Sequence, residues 1–376
     1  MKEKQPIFED PNKTIIEKYV LSARLKSKKE STITGEMWQM VSFLRFINNK
    51  DLHEVTKNDI EMFYLHRRDT CQPSTVHDNI VTLKVFFKWL LPGNDLFDNV
   101  NHKTPKNTLP VEELILESDV MQLLSGCTKQ RDRALTSLLW DSAARISEIL
   151  DMNLKNIEFN KNGGTIIVSG KTGMRRIPLI MSVPELRLWL NHHPDRDNPN
   201  APIFITDRKY EGDFRRLHRH TAGNMLKGLA KKVNAKKNIY PHAFRHGRLT
   251  DLAKLGVNEM ELRKFAGWET NSDMPATYLH LSGADVESKI LSIHGIITEN
   301  DHKPQLEMMP KDCPVCTTKN AFDAKFCVQC GQVLDSKTAI EMQEATKPAE
   351  DGLAELIDAK LESLIEERLN HKLKNL

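Results

Sequence analysis

Arg145 in WDSAARISEIL, Lys171 in SGKTGMRRIPL, His242 and Arg245 in PHAFRHG, Trp268 in AGWE and Tyr278 in ATYLHLS are of the types that phosphodiester chemistry needs. A tyrosine can attack phosphorus and later depart, because a phenol of ordinary pKa about 10 leaves far more readily than an alkoxide. The attack builds charge on the non-bridging oxygens, and a guanidinium meets that charge with a planar fork that stays protonated. A lysine can protonate the departing oxygen, and imidazole and indole N–H groups can complete the hydrogen bonding around the phosphate. Such a site requires neither a metal nor a nucleotide.

Each residue also has an ordinary reading. Arg145 can pair with Glu148 three positions on. Lys171 stands in Gly-Lys-Thr-Gly between two strand-like stretches, as a solvated hairpin lysine would. A nucleotide-binding GxxxxGK[ST] loop is excluded there, because Thr165 occupies the first glycine position and a strand follows where that loop needs a helix. His242 and Arg245 are three apart behind the helix-opening Pro241, so they share a helical face, in a segment where His246 and Arg248 add further basic groups. Trp268 could be a core aromatic, and Tyr278 is one of 5 tyrosines.

Their order separates the two readings. RDRALTSLLWDSAARISEIL, GKTGMRRIPL, HAFRH and GWETNSDMPATYLHLS resemble the successive catalytic boxes of the tyrosine recombinases, the phage integrase family. The likeness covers about 113–290, extends to 10–100 only as a helical pattern, and does not reach the tail. It implies a site-specific DNA recombinase that cuts and rejoins strands through a covalent 3′-phosphotyrosine. In that reading Tyr278 is the nucleophile, Arg145 and Arg245 clamp the scissile phosphate, Lys171 is the general acid and His242 assists proton transfer. Trp268 fills the position where many members have a second histidine, and Glu148 matches an acidic position that often supports the first arginine. The sequence departs from the common pattern at Trp268, at the ten-residue step from Trp268 to Tyr278, and at Ala143, where a glycine is frequent. The wording GW-x3-S-x-M-P-x2-Y-x-H-L-S is closest to archaeal integrases and Xer-like recombinases. The resemblance further implies double-stranded DNA as partner, assembly from dimer to tetramer in synapsis, and a role on a mobile element or in chromosome-dimer resolution. Two other readings use the same residues. A type IB topoisomerase-like nicking-closing enzyme shares the chemistry without synapsis. A non-catalytic DNA-binding regulator should have lost Tyr278 or an arginine, and this chain keeps them.

The elements that position these residues can be read from periodicity. With 376 residues, two or three domains are expected. Over 1–100, IIEKYVLSARLKSK, GEMWQMVSFLRFI, KNDIEMFYLHRR and TVHDNIVTLKVFFKWLL repeat apolar residues at helical spacing, which predicts an all-α bundle, with Thr56 and Ser74 as helix starts, and the family resemblance implies that this is the core-binding domain. Residues 101–112 read as a linker whose Lys103 and Lys106 would lie near a DNA backbone. Residues 113–290 read as a mixed α+β catalytic domain. One helical stripe runs through Leu135, Leu138, Leu139, Ile146, Ile149 and Leu150, and a small antiparallel sheet follows in NIEFN, TIIVSG and RRIPL.

Charge is distributed unevenly. Residues 1–290 carry 44 Lys+Arg against 36 Asp+Glu, whereas 291–376 carry 10 against 15. Within 208–237, ten basic residues face only Glu211 and Asp213, which favours contact with a polyanion; Arg215, Arg216, Arg219, Lys231 and Lys232 are the candidates for DNA phosphates. No run of 18 apolar residues exists and MKEKQPIFEDPNK has no apolar stretch behind its charges, so the chain reads as cytoplasmic and nucleoid-associated, with no membrane partner.

In the tail, Cys313-Pro-Val-Cys316 and Cys327-Val-Gln-Cys330 are paired CxxC turns able to close one tetrahedral four-cysteine site, so 311–335 is predicted to be a zinc ribbon holding a single structural Zn2+. Residues 352–376 form an amphipathic stretch suited to packing on a neighbour, and the family resemblance makes it a candidate for docking on an adjacent protomer.

Overall fold

The computed structural model describes residues 8–100, 110–170, 173–272, 274–282, 294, 307–342, 360, 361, 365 and 368. Lys103, Lys106, Lys171 and most of the 352–376 stretch lie outside the described residues, so their expectations rest on the sequence. The chain divides into two compact units, Met1–Thr108 and Leu109–Leu376.

The first unit is helical: α1 (Lys13–Leu25), α2 (Glu30–Phe46), α3 (Lys57–Thr70) and α4 (Pro73–Leu90). Helix α3 begins behind Thr56, as its sequence predicts. The Thr56 hydroxyl accepts from the Asp59 N–H while the Asp59 carboxylate accepts from the Thr56 N–H, a reciprocal cap. Helix α4 starts earlier than expected, at Pro73 with Gln72 before it, so Ser74 lies inside the first turn. Proline suits that place because its missing N–H would have no helical partner there anyway. The four helices enclose Ile16, Tyr19, Met40, Phe43, Ile60, Phe63, Ile80, Phe86 and Phe87. The aromatics gather in this core, where Tyr19 lies edge-on to Phe86 and Trp89 at 5.0 and 5.3 Å.

The second unit opens with α5 (Glu117–Gly126), α6 (Gln130–Ser142) and α7 (Ile146–Leu150). The single stripe expected across Leu135–Leu150 is two helices. Ala143 takes a left-handed conformation at φ +46°, and Arg145 caps the second helix. A glycine would carry no strain there, and Ala143 accepts it in a fully buried position. Strands β1 (Ile157–Asn160), β2 (Gly163–Gly170) and β3 (Gly173–Leu179) then form an antiparallel sheet in that order, with Gly170 opposite Gly173. After α8 (Val183–Asn191) comes a second hairpin that the periodicity did not reveal, β4 (Ile205–Tyr210) and β5 (Asp213–Arg216). Its turn places Glu211 and Gly212 at φ +54° and +92°. Helices α9 (Arg219–Lys232), α10 (Pro241–Lys254), α11 (Glu259–Ala266) and α12 (Met274–Ser282) follow.

Helix α6 is buried along most of its length and packs against α5, α8 and α10, which makes it the axis of this unit. The four-cysteine segment, with the short pair β6 (Lys311–Asp312) and β7 (Lys319–Asn320), belongs to the same unit, and Met308 and Phe322 pack on its main core. Among the described residues no helix is long and apolar enough to cross a membrane.

Candidate active site

Arg145 stands at the start of α7 because Glu148 holds it there. The Glu148 carboxylate accepts the Arg145 backbone N–H at 2.9 Å and its Nη1 at 2.9 Å. Two more bonds come from β3, where Arg175 Nη1 and Nη2 donate to the same carboxylate at 3.1 and 2.8 Å and Nε donates to the Phe265 carbonyl at 3.0 Å. Burial pushes the Glu148 carboxyl upward, but the Arg175 and Arg145 bonds outweigh it and hold its pKa below the usual carboxylate value. The Glu148 side chain is 2% exposed, whereas Arg145 keeps 29% of its side chain open to solvent. One arginine fork is therefore fixed at its base and free at its edge.

Two glycines permit this close packing. A Cβ on Gly170 would stand 2.3 Å from Glu148 Oε1. A Cβ on Gly267, whose φ is +65°, would stand 2.8 Å from the Arg175 guanidinium. The carboxylate that orients Arg145 thus abuts Gly170, the last residue of β2, which immediately precedes Lys171 in sequence.

Pro241 opens α10, as predicted, and places His242 and Arg245 on it. Arg245 is buried, and it donates Nη1 to the Ala143 carbonyl and Nη2 to the Ala266 carbonyl, both at 2.8 Å. Its guanidinium lies 5.3 Å from the Trp268 ring centre. Burial and the neighbouring Arg145 charge push its pKa down to about 10, which leaves it cationic at neutral pH. His242 is exposed. Partial desolvation of its ring, then the Arg245 and Arg145 charges, lower its pKa from the ordinary value.

Tyr278 on α12 is 1% exposed, in a small core with Ala143, Leu249, Leu262 and Ala266. Its ring stacks on Trp268 at 5.3 Å and 19°. Its hydroxyl lies 2.7 Å from His246 Nδ1, and the two rings also stack, at 5.8 Å and 24°. Burial pushes the phenol up to about 12, although Arg245 and Arg145 pull it down. His246 is pushed down to about 4 by burial, with His242 and Arg245 adding to the shift. The structure thus gathers His242, Arg245, Trp268 and Tyr278, with Arg145 close enough to shift His242, Arg245 and Tyr278 electrostatically.

Arg175 and His246 are the site residues that the sequence reading left out. Arg175 shares the inward strand face with Ile177 and Leu179, so alternation alone marks it as an inward-pointing charge in need of a partner. His246 is four residues from His242 and one helical turn along the same face.

The basic run from 208 to 237 falls on β4, β5 and α9 and the loop after it. Arg215 is exposed, paired with Glu211 at 2.6 Å and set over the Tyr210 ring. Arg219 and Lys231 are also exposed. Arg216 has a different role: it donates to the Leu150 carbonyl, to the Met152 carbonyl at 2.9 Å and to Asn153 Oδ1 at 2.5 Å, buttressing the end of α7. Lys232 donates to the Gly126 carbonyl at 2.8 Å. Arg216 is thus tied within the fold by its own donors, while Lys232 is exposed and its ammonium carries three donors, one of which goes to that carbonyl.

The sulfurs of Cys313, Cys316, Cys327 and Cys330 lie within 4.8 Å of one another, with Cys313 and Cys330 at 3.6 Å and Cys316 and Cys327 at 3.5 Å. A tetrahedral shell with Zn–S bonds of about 2.3 Å has S···S edges of about 3.8 Å. The set therefore fits one thiolate-loving ion, and its spacings are far beyond a covalent S–S bond of about 2.05 Å.

The model of the phage integrase family matches residues 113–284, and that of the phage integrase N-terminal SAM-like domain matches 15–94. A tyrosine recombinase of Thermosipho africanus (strain TCF52B) is 25% identical over 272 residues, covering 69% of this chain and 92% of that protein. Tyrosine recombinase XerD of Lacticaseibacillus casei is 27% identical over 237 residues, 59% of this chain and 78% of that one. Tyrosine recombinase XerA of Pyrococcus horikoshii is 24% identical over 298 residues, 78% of this chain and 94% of that one. In fold, the chain is similar to a lambda integrase in a dimer bound to a COC′ core site, with TM-score 0.57, 13% identity and coverage of 72% of this chain and 78% of that one. It is also similar to the XerH site-specific recombinase bound to a palindromic difH substrate, with TM-score 0.55, 14% identity and coverage of 75% and 83%. One matched segment falls in each unit and the longer takes in every candidate catalytic residue, so the chain belongs to the tyrosine recombinases of the phage integrase family.

Proposed function

We propose that this site-specific DNA recombinase breaks and rejoins strands through Tyr278. The observation that carries the reading is the placement of the phenol: it is stacked on Trp268, against which Arg245 also lies, and is bonded to a histidine one turn from His242. Arg145 and Arg245 would grip the scissile phosphate from two elements, α7 and α10, and meet the charge that grows on its oxygens. Lys171 would protonate the departing 5′ oxygen, and His242 and the Trp268 N–H would complete the hydrogen bonding around the phosphate. The product of cleavage is a 3′-phosphotyrosine, which conserves the energy of the phosphodiester for rejoining.

Double-stranded DNA is the substrate, held by a homo-oligomer that reaches a tetramer when two sites are paired. Residues 1–100 would bind beside the site, 101–112 would connect, 113–290 would catalyse, and 352–376 would dock on a neighbouring protomer. Arg215, Arg219, Lys231 and Lys232, with Lys103 and Lys106, would contact phosphates. Zn2+ is the ion best suited to Cys313, Cys316, Cys327 and Cys330, where four thiolates would close its shell and give 311–335 a structural role. The work would be done in the cytoplasm, on chromosomal or mobile-element DNA.

The test incubates the wild-type chain and Tyr278→Phe with nicked duplexes randomised around the nick. A protein–DNA adduct that survives denaturation and is lost in Tyr278→Phe is the expected result. An adduct that persists in the variant would move the nucleophile elsewhere.

A further inference from the structure

The phenol of Tyr278 must lose a proton as its oxygen bonds to phosphorus, and most of the residues around it cannot receive one. Arginine has no acceptor and the indole of Trp268 only donates, while His242, which can accept, meets the His246 ring edge-on and is not the imidazole bonded to the phenol. His246 can: its Nδ1 lies 2.7 Å from the phenolic oxygen, and its ring is held on both sides, stacked on Tyr278 and set edge-to-face with His242 at 5.1 Å. We propose that His246 is a further catalytic residue of this recombinase, whose Nδ1 takes the phenolic proton of Tyr278 during strand cleavage and returns it during ligation.

This rests on the reading of Tyr278 as nucleophile. In the step, the Tyr278 oxygen–phosphorus bond forms and the phosphorus–O5′ bond breaks, leaving its electron pair on the 5′ oxygen. That oxygen takes a proton from the Lys171 ammonium, while the phenolic proton moves to His246. Without DNA the proton stays on the phenol, because the imidazole is held low and the phenol high. Burial is the main cause of the low His246 value, and a phosphate anion seated between Arg145 and Arg245 offsets only the added effect of the Arg245 charge, while the phenol becomes acidic as it bonds to phosphorus. Donor and acceptor are therefore in place before DNA arrives, and bond formation to phosphorus drives the transfer.

The probe is a nicked duplex recovered by covalent capture from the randomised pool with the wild-type chain. Single-turnover cleavage is compared for wild type, His246→Phe and His246→Asn, each also with a fluorinated, more acidic tyrosine at position 278. His246→Phe keeps an aromatic ring beside Tyr278 without an acceptor, and His246→Asn can accept a hydrogen bond but not a proton. Both are expected to cleave about 100-fold or more slowly while binding the probe within about 3-fold of wild type. Fluorination should recover about 10-fold or more in the variants and change the wild type little, a response that a packing role would not produce. Cleavage within about 3-fold of wild type in His246→Phe, or slow variants that fluorination does not restore, would overturn the proposal. Capture of no duplex by the wild type, or capture that survives Tyr278→Phe, would overturn the nucleophile reading and take the proposal with it.

Discussion

Glu148 accepts from the Arg145 backbone, from the Arg145 guanidinium and from both ends of the Arg175 fork, all on one buried carboxylate. Removing its charge leaves two cations facing each other with no anion between them. Breaking a buried pair from one side costs about 3–5 kcal/mol, so Glu148→Gln should lower stability on that scale in urea unfolding at neutral pH. The pH dependence has a definite sign. The folded carboxyl sits below its ordinary value of 4.5, so its contribution is complete above that value and is lost as pH falls through the lower, folded value. The gap between wild type and Glu148→Gln should accordingly narrow below about pH 4. A gap that stayed constant down to acid would show that shape, not charge, matters at this position. Arg145 and Glu148 were legible because they lie within one helical turn. Arg175 was not, since the strand period says only that it points inward, and its partner lies 27 residues away in sequence. His246 was half legible, since its face is set by His242 but its contact with Tyr278 spans 32 residues and depends on how α12 packs on α10.

Helix α6 links two distant features of the second unit. At its end the Ala143 carbonyl receives Arg245. Near its start Arg133 donates to Glu185 at 2.6 Å, to the Leu124 carbonyl at 3.0 Å and to both oxygens of Asp323 at 2.6 and 2.7 Å. Asp323 lies between the two CxxC turns, so this fork fastens the cysteine segment to the helix that supports the site. The Asp323 side is 41% exposed, which places the pair among bridges worth about 1 kcal/mol or less. Asp323→Ala should therefore lower the melting temperature by no more than about 2–4 °C. Chelation should do more, because metal-binding energy in such modules is folding energy and because Met308 and Phe322 rest on the main core. The expected result is one zinc released per chain with a larger fall in melting temperature than Asp323→Ala produces. Chelation with no zinc released and no change in melting would remove the zinc reading. At this scale the CxxC spacing was readable in advance, as was the start of α10 at Pro241. The break at Ala143 was hidden by apolar spacing that keeps the same phase on both sides of it. The hairpin of β4 and β5 was hidden because charged residues fill most of its positions, leaving little hydrophobic alternation to detect.

Across the whole molecule, each unit has its own apolar core, and the sequence located both cores from helical periodicity in the first and mixed periodicity in the second. Charge was less readable than hydrophobicity, because a basic side chain looks the same in sequence whether it faces water or ties the fold together. Within the run from 208 to 237, Arg216 holds carbonyls of α7 and its exit, exposed Lys232 holds one of α5, and Arg215, Arg219 and Lys231 lie exposed. The Arg215–Glu211 pair is itself open to solvent, so salt and a competing phosphate can both dissolve it. These two groups should separate cleanly in DNA binding. Each phosphate contact releases counterions and adds about 0.9 to the slope of log K against log salt concentration. Replacing Arg215, Arg219 and Lys231 together with alanine should reduce that slope by about 2–3 on a non-specific duplex, measured by anisotropy across a salt series, with the melting temperature nearly unchanged. Arg216→Ala should leave the slope in place and lower the melting temperature, because it strips donors from three acceptors at the end of α7 and its exit. If the triple variant kept the full slope, or if Arg216→Ala lost as much of it, the surface that faces phosphate would lie elsewhere on the molecule.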